Sequence, residues 1–477
     1  MRIIENMQKA GMFLLVLMLF ACSQSERYPT GMSGTIMNHE GVTIELTYFQ
    51  EYFNNNRVVI DIEPDGLGLF YIPLDVGHAL QAGLRVGRTE IPLYLRPNDA
   101  LKVEFDALEP LESLVFSGAG ADNNNFFLAF YRDIDLEIGD RFVMAEAGNR
   151  DHEAFVALLD SIVSVKTAYL ETGKSAKELS DDFVEFMKTR IMYDRYTKML
   201  EYPVLYSRMN QGEAPSGLSD DYYALLKKED ILDDTRLENL SYVNFLMAWL
   251  NHERRLRTDE PSHEEKSINR QNYHLAADLL TGKSRDFIQA MMVGRELSYG
   301  RMEDAEMVYR HFTDGSAHGA YIERIHSIYN TMQSLTAGNS APGFSMTDLE
   351  GREVSLADFR GKVVFMDFWA SWCGPCMREM PHIRALKEHF AGEEDLVFVY
   401  VSIDTDEDAW RSTVERLDLE GVHFNTPGRE RGVPALYNVK WIPTFYVIGR
   451  DGQIFDNRPP MPSEGGLDEV IMAALAE

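Results

Sequence analysis

Two of the three cysteines of this 477-residue chain, Cys373 and Cys376, are separated by only two residues, and this spacing constrains the fold around them. A short apolar run with β-branched residues, 363–368, leads directly into the pair. After the pair, apolar residues recur every three or four positions through 377–390. The first pattern is typical of a strand buried on both faces and the second of a helix. We therefore expect the cysteines at a junction between a buried strand and a helix.

The start of a helix suits redox chemistry at this pair. Cys373 would lie beside unpaired backbone N–H groups and the positive end of the helix dipole, which favour its thiolate form. Pro375 suits the first helical turn, where its missing N–H is not needed, and Gly374 keeps the approach to the sulfurs open. Two thiols so placed can close a small disulfide, and Cys373 would be the attacking sulfur. The pattern predicts dithiol–disulfide exchange.

A cysteine pair of this spacing has two other uses, as a structural disulfide or as half of a zinc site. A zinc site needs two further ligands, and the sequence offers no other cysteine pair and no closely spaced histidine pair. We therefore expect no metal and no other cofactor, and we favour the redox interpretation.

Several further motifs occur from about Ser340 to the C-terminus. They are the segments 341–344 (APGF), 349–351 (LEG), 359–362 (FRGK), 368–376 (FWASWCGPC), 379–381 (EMP) and 441–445 (WIPTF). Together these segments resemble the membrane-anchored, thioredoxin-like proteins of the TlpA/ResA type, which carry an AhpC/TSA-like redoxin domain. The resemblance covers less than a third of the chain and implies a C-terminal α/β thioredoxin-like domain.

The resemblance implies roles for individual residues. Cys373 would attack a client disulfide, and Cys376 would resolve the mixed disulfide. Pro443 aligns with the family's cis-proline, since an X–Pro bond is the one peptide bond for which cis is accessible at low cost. The loop formed by Pro443 and its neighbours Ile442 and Thr444 would offer backbone groups to a bound peptide.

The residues around the first cysteine complete the predicted substrate-binding surface. Trp372 lies beside the sulfur and is expected to contact the client, together with Gly374 and Pro375.

Two carboxyl groups are candidates to carry the proton of the second cysteine. Asp367 occupies the place of the buried carboxylate of thioredoxin, and Glu379 matches the acidic residue that ResA-like proteins use near the active site. A carboxyl group buried in an apolar strand should have a raised pKa, which suits it to exchange a proton with Cys376. We therefore favour Asp367, with Glu379 as the second candidate.

A peroxidase with the same fold is a weaker alternative. Peroxiredoxins carry a Pro-x-x-x-Thr-x-x-Cys arrangement around the reactive cysteine. Here Met366 and Ala370 stand where the proline and the threonine would be.

The N-terminus predicts export. Arg2 and Lys9 precede the apolar run 12–20. This run is too short for a membrane-spanning helix but suits the core of a signal peptide at 1–21. Residues 19–22 (LFAC) resemble a bacterial lipobox, so Cys22 is expected to be the lipid-modified first residue of the mature protein. A plain secretory signal with an incidental cysteine is the alternative.

Cysteine count and charge agree with export. The lipid anchor and the redox pair would use all three cysteines, so none is left to mispair in an oxidising compartment. The 76 acidic and 46 basic residues give a formal net charge of −30, which opposes binding to nucleic acid.

Length and patterning predict a multidomain chain. Residues 22–117 alternate apolar and polar side chains, which predicts an antiparallel β-sandwich, with Glu45 and Thr47 on the face opposite Ile44. This region resembles the uncharacterised β domain that precedes many exported thiol-disulfide oxidoreductases. The small, polar segment 336–340 is typical of a linker. It would lead into the thioredoxin-like domain at 340–477.

Residues 118–335 predict a central α-helical region, with helix starts at 180–182 and 219–221. A stripe of aromatic and methionine side chains in this region could form the core or line a groove for a client peptide, and we favour the core. Its members are Tyr193, Tyr196, Met199, Tyr202 and Tyr206.

These observations predict an exported, lipid-anchored thiol-disulfide oxidoreductase that faces the periplasm and reduces client proteins, such as apocytochrome c or other envelope proteins. A membrane thiol donor would supply its electrons. The alternative is an envelope binding protein, in which the β and helical regions capture a peptide or glycan and the redox domain is accessory.

Overall fold

The computed structural model describes residues 31–49, 57–176, 178–218, 222–223, 231–257, 267–299, 302–316, 319–429 and 431–477. The predicted signal peptide, Cys22 and the predicted helix start at 219–221 lie outside these ranges. Within them, no helix is both long and apolar enough to cross a membrane.

The first eight strands lie in the N-terminal region. They are β1 (Gly31–Met37), β2 (Ile44–Phe49), β3 (Arg57–Asp61), β4 (Leu69–Pro73), β5 (Leu80–Val86), β6 (Thr89–Leu95), β7 (Ala100–Asp106) and β8 (Val115–Ala119). The other seven are β9 (Ser345–Thr347), β10 (Glu353–Ser355), β11 (Val363–Trp369), β12 (Leu396–Ser402), β13 (Val422–Asn425), β14 (Thr444–Ile448) and β15 (Ile454–Asp456).

The first eleven helices precede the C-terminal sheet. They are α1 (Pro110–Ser113), α2 (Ala121–Phe130), α3 (Leu136–Ile138), α4 (Asp140–Ala147), α5 (His152–Ser175), α6 (Asp181–Met209), α7 (Leu240–Arg257), α8 (Ile268–Leu279), α9 (Gly282–Tyr299), α10 (Met302–Gly315) and α11 (Gly319–Ser334). The remaining four are α12 (Gly374–His389), α13 (Glu407–Leu417), α14 (Gly432–Leu436) and α15 (Leu467–Ala476).

The described residues form two compact units. One contains residues 31–44 and 62–132, and the other contains residues 45–61 and 133–477. The domain boundaries expected from the sequence stay predictions.

The first unit contains a mixed sheet in the order β4-β1-β7-β8. Strands β4 and β8 are antiparallel to their neighbours, but β1 and β7 pair in parallel, with Met32 opposite Leu101. The expectation of a purely antiparallel arrangement is therefore wrong. Because more than sixty residues separate these two strands, the chain has ample length to return in the same direction. The sandwich arrangement stays a prediction.

Strand β2, in the second unit, is buried on both faces. Glu45 and Thr47, which alternation places on the opposite, polar face, are both buried. The carboxylate of Glu45 accepts a hydrogen bond of 3.0 Å from Arg431, which also donates to Asp61 at 2.9 Å. An acidic side chain can be buried here because this ion pair offsets part of the cost of removing its charge from water.

The helical region has a core of apolar and aromatic side chains from α6 to α11. In the stripe singled out from the sequence, Tyr193, Met199 and Tyr202 are buried. The hydroxyls of Tyr193 and Tyr202 each donate a hydrogen bond of 2.8 Å to a backbone carbonyl. These three side chains are core, so the structure favours the core interpretation of the stripe.

The C-terminal region is built on a five-stranded sheet in the order β13-β12-β11-β14-β15. Its central strand β11 is parallel to β12 and antiparallel to β14, and all seven of its residues are buried. Helices α12, α13 and α15 pack on one face, and α14 packs on the other. The buried strand β11 and the helix α12 after the cysteines agree with the sequence pattern.

The segment 336–340 differs from the linker expected there. It is hydrogen-bonded along the edge strand β15, through Gly338 N to Ile454 O and Ile454 N to Asn339 O, both at 2.8 Å. Leu335, just before it, is buried in the core below the sheet. Small, polar residues can serve such an edge pairing because it uses only their backbone groups.

A buried carboxylate ties the end of β12 to the loop after β11. Asp404 accepts hydrogen bonds from Ser371 N at 2.8 Å and Ser371 Oγ at 2.6 Å. It accepts a third from Ser402 Oγ at 2.7 Å. Parallel neighbours end at the same edge of a sheet, which brings these residues together. The network fixes the loop that leads into Cys373.

We predict that Asp404→Ala lowers the free energy of unfolding by about 2–4 kcal/mol, because it leaves a backbone N–H and two hydroxyls without their charged acceptor. Urea denaturation followed by tryptophan fluorescence measures this, since four of the five tryptophans lie after residue 368. The exposed Asp408, in the first turn of α13, is the matched control, and Asp408→Ala should cost less than about 1 kcal/mol. Equal losses in the two variants would contradict the role of the network.

Candidate redox site

The redox pair lies where β11 ends and α12 begins. Cys373 is the N-cap residue of α12, and its sulfur accepts a hydrogen bond of 3.1 Å from the backbone N–H of Cys376. The two residues form a disulfide, with their Cα atoms 5.2 Å apart. Gly374 and Pro375 occupy the first helical turn, where proline is tolerated because no intrahelical partner needs its N–H. The predicted strand–helix junction is therefore present.

The two cysteines are both shielded, whereas the residues beside and between them are exposed. Cys373 is 3% exposed and Cys376 is 1% exposed. Trp372, next to the first sulfur, is 66% exposed, and Gly374 and Pro375 are exposed as well. The three residues expected to contact a client are thus exposed, while both cysteines pack in the core below them.

The predicted proline loop faces the disulfide. The Ile442–Pro443 peptide bond is cis, and the carbonyl oxygen of Ile442 lies 3.8 Å from Cys373 Sγ. Thr444 begins β14 and donates a hydrogen bond of 2.7 Å from its hydroxyl to the carbonyl of Trp441. Because β14 pairs with β11, with Thr444 opposite Phe368, the central strands place this loop beside the cysteines.

Asp367 is buried on the face of β11 that α12 covers. Side chains alternate along a strand, so Asp367 shares its face with Phe365 and Trp369, which pack in the same core as Cys376. Among the described residues, neither carboxyl oxygen of Asp367 has a hydrogen-bond partner. Burial, and then the negative charge of Glu379, raise the pKa of Asp367 well above its usual value of 3.8. The site therefore favours a protonated carboxyl group beneath the disulfide.

Glu379 is buried on α12 but has partners of its own. Its Oε2 accepts a hydrogen bond of 2.9 Å from Ser463 N, and its Oε1 accepts one of 2.8 Å from Ser463 Oγ. Ser463 thus holds both carboxylate oxygens of Glu379, whereas Asp367 has no such donor among the described residues. The order of preference between Asp367 and Glu379 as the proton carrier stays a prediction.

Two residues of the site are absent from the sequence-based expectations. Asp404 holds the loop at Ser371, and a signal for it exists, because polar residues follow the apolar run of β12 at the edge where the cysteines lie. Ser463 binds Glu379 across 84 positions of sequence, and no local pattern indicates that contact.

Within the described ranges, no group of three or more His, Cys, Asp or Glu side chains is placed to hold a metal ion.

Comparisons with known proteins bear on the same region. The family model described as Redoxin matches residues 336–471. Over 143 residues the chain is 30% identical to the thiol-disulfide oxidoreductase ResA of Bacillus cereus. The aligned segment covers 30% of this chain and 81% of that protein. Over 123 residues it is 37% identical to the thioredoxin-like protein YneN of Bacillus subtilis. That aligned segment covers 26% of this chain and 71% of that protein.

Among solved structures, the thioredoxin domain of a thiol-disulfide oxidoreductase from Bacteroides vulgatus is similar, with 26% sequence identity and a TM-score of 0.27. The similarity covers 29% of this chain and 98% of that chain. The resemblance stated from the motifs is confirmed by the family model and by the relatives. Through its C-terminal region, this chain belongs to the redoxin family and, within that family, to the ResA-type thiol-disulfide oxidoreductases.

Proposed function

We propose that this protein is an exported, lipid-anchored oxidoreductase that reduces disulfides of client proteins with the Cys373–Cys376 pair. The observation that carries the proposal is the disulfide at the start of α12, with Cys373 Sγ 3.8 Å from the carbonyl of Ile442. A client chain lying along the cis-proline loop would bring its own sulfur to Cys373, the more accessible of the two cysteines.

The reaction transfers two electrons to the client. The thiolate of Cys373 attacks one client sulfur, the client disulfide breaks, and the other client sulfur leaves as a thiolate. Cys376 then attacks Cys373 Sγ, which forms the enzyme disulfide and releases the second client sulfur. The helix N-terminus stabilises the thiolate of Cys373 in the reduced enzyme.

The protons follow a separate route. Cys376 must lose its proton before it can attack, and Asp367 is the buried carboxyl group on the same side of β11. Because its raised pKa makes the ionised carboxylate a stronger base, Asp367 is better matched to a thiol than an ordinary carboxylate. The negative charge of Glu379 helps to raise the pKa of Asp367, and Ser463 holds Glu379 in place through hydrogen bonds.

The direction of electron flow is proposed from the residues between the cysteines. The Gly374–Pro375 dipeptide is that of reducing thioredoxins, which favours reduction of clients over their oxidation. A membrane thiol donor would return two electrons to the enzyme disulfide. The proposed clients are envelope proteins with disulfides, including apocytochrome c.

Export and anchoring are proposed from the N-terminal sequence. The apolar run 12–20 follows Arg2 and Lys9, and the lipobox-like residues end at Cys22. A lipid on Cys22 would hold the protein at a membrane without a spanning helix, so the redox site would face the periplasm.

A second candidate is an envelope binding protein with an accessory redox domain, in which the helical region, the N-terminal strands in their predicted sandwich, or both capture a peptide or glycan. A cavity of about 630 Å³ in the helical region favours this candidate, because it has the size of a ligand site. Its lining carries both charges, with Asp194, Lys198 and Arg255 among the residues.

We predict that Cys376→Ala accumulates mixed disulfides between Cys373 and its clients, because the sulfur that would release them is missing. Adducts should appear on non-reducing gels of cells that express the full chain and disappear after treatment with dithiothreitol.

The matched control is Cys373→Ser, which should give no adducts and no reduction of insulin. Absence of adducts with Cys376→Ala would count against the redox proposal. Partner capture and a cellular phenotype that survive in Cys373→Ser would favour the binding protein instead.

We predict that Asp367→Asn raises the free energy of unfolding and slows turnover. Because the pKa of Asp367 is raised on folding, the unfolded chain loses this proton at lower pH than the folded protein. Asp367 therefore costs stability as pH rises above its usual value of 3.8. The stability gap between variant and parent should widen with pH by up to about 1.4 kcal/mol per unit, until Asp367 ionises in the folded state.

Urea denaturation between about pH 5 and about pH 8 measures the gap, and insulin reduction should slow at least about tenfold. Glu379→Gln is a matched control. It removes the charge that helps to raise the pKa of Asp367, so it should narrow the pH-dependent cost. A gap that does not change with pH would contradict the assignment.

We predict that Cys22→Ser prevents lipid attachment, because serine offers no thiol for the acyl-bearing group. In cells fed a labelled fatty acid, the parent protein should carry the label and partition into the detergent phase, whereas the variant should do neither. Cys373→Ser should keep the label. A labelled Cys22→Ser protein would exclude Cys22 as the anchor.

A further inference from the structure

The last turn of α9, in the helical region, contacts the loop that precedes the cis-proline. The ring of Tyr299 stacks on the indole of Trp441, with centroids 4.5 Å apart and planes inclined by 29°. Trp441 is bonded directly to Ile442, whose carbonyl oxygen lies 3.8 Å from Cys373 Sγ. A side chain from the helical region is therefore linked to the reactive sulfur through only two intervening residues.

Arg458 fixes the end of α9 against this loop. Its guanidinium donates hydrogen bonds to the carbonyl of Ser298 at 2.6 Å and to that of Leu297 at 3.5 Å. These carbonyls belong to the last turn of the helix and have no partner within it, so a cation there satisfies them and interacts favourably with the helix dipole. The same guanidinium lies 6.0 Å from the ring centroid of Trp441, within the range of a cation–π interaction.

The stack leaves aromatic surface uncovered beside the redox site. Tyr299 remains 42% exposed although it packs on Trp441, and Trp372, adjacent to Cys373, is 66% exposed. Large aromatic side chains bury much apolar area and add specific ring contacts, so they are enriched where proteins bind partners. Tyr299 and Trp372 come from different regions of the chain. Trp372 is bonded directly to Cys373, and Tyr299 is linked to it through its stack on Trp441.

We propose that Tyr299 determines client specificity, with the end of α9 forming one side of the client-binding surface. The preferred client is an extended polypeptide segment with an aromatic side chain next to its cysteine, because such a segment can place its ring against Tyr299 while its sulfur meets Cys373. A small disulfide without such a side chain reaches Cys373 but gains nothing from α9. The inference rests on the proposed function and names the substrate class of the same site.

The test follows a single turnover of the pre-reduced full-length protein, so no electron donor is needed. The oxidants are the disulfide dimers of two short peptides, Gly-Phe-Cys-Gly and Gly-Ser-Cys-Gly, with blocked ends, and the small compound hydroxyethyl disulfide. The parent protein should react about 3- to 10-fold faster with the Phe peptide than with the Ser peptide, as expected from one aromatic contact.

Tyr299→Ala should lose this preference but react with hydroxyethyl disulfide as fast as the parent protein. Tyr299→Phe, which keeps the aromatic ring, should retain the preference. Tyr299→Leu retains apolar volume without a ring and should behave as Tyr299→Ala, so it serves if the alanine variant does not fold. Tyr71→Ala, which removes a 59% exposed tyrosine from β4, is the matched control and should retain the preference.

Different outcomes separate this inference from the proposed function. A parent protein that fails to react with any of the three disulfides would refute the redox function itself. A parent that reacts but shows no preference, or a Tyr299→Ala variant that keeps it, would overturn the role of Tyr299 alone. Equal slowing with all three oxidants would also overturn it, because a purely structural role would affect every substrate.

Discussion

The burial of β11 on both faces is the constraint on which the redox site depends. With every residue from Val363 to Trp369 buried, this strand has one register in the sheet, so its end is fixed in space. Cys373 follows directly and caps α12. The same strand pairs with β14, which presents the cis-proline loop. One strand therefore sets the positions of both the sulfur and the loop that faces it.

The polar residues of the site are placed by the same geometry. Period-two alternation puts Asp367 on the side that α12 covers, where burial raises its pKa, whereas Asp404 lies at the end of the adjacent strand and accepts hydrogen bonds from the loop. One carboxyl group is left without a hydrogen-bond donor among the described residues, and the other is fully engaged. These two buried acids thus have different surroundings, which suit one to the proposed proton exchange and the other to support of the loop.

Local pattern predicted much of the C-terminal fold and little of what joins distant segments. The apolar run of β11 and the helical spacing after Cys376 each lie within one short segment, so the sequence reveals them. The parallel pairing of β1 and β7 depends on the path of more than sixty intervening residues. The pairings of Glu45 with Arg431 and of Glu379 with Ser463 likewise have no local signature. The sequence therefore places Glu45 on a polar face and leaves Glu379 as a candidate proton carrier.

The backbone pairing of 338–341 along β15 has a consequence for how the sheet can be used. An outer strand with free N–H and C=O groups is a template on which a foreign strand can add, and natural proteins protect such borders. Here the incoming chain itself occupies the border, through Gly338, Asn339 and Ala341. A foreign polypeptide cannot extend the sheet at that stretch without displacing the protein's own backbone. At the opposite border, the carbonyl of His423 in β13 accepts a hydrogen bond of 3.1 Å from Leu349 N, so the chain partly occupies that border as well.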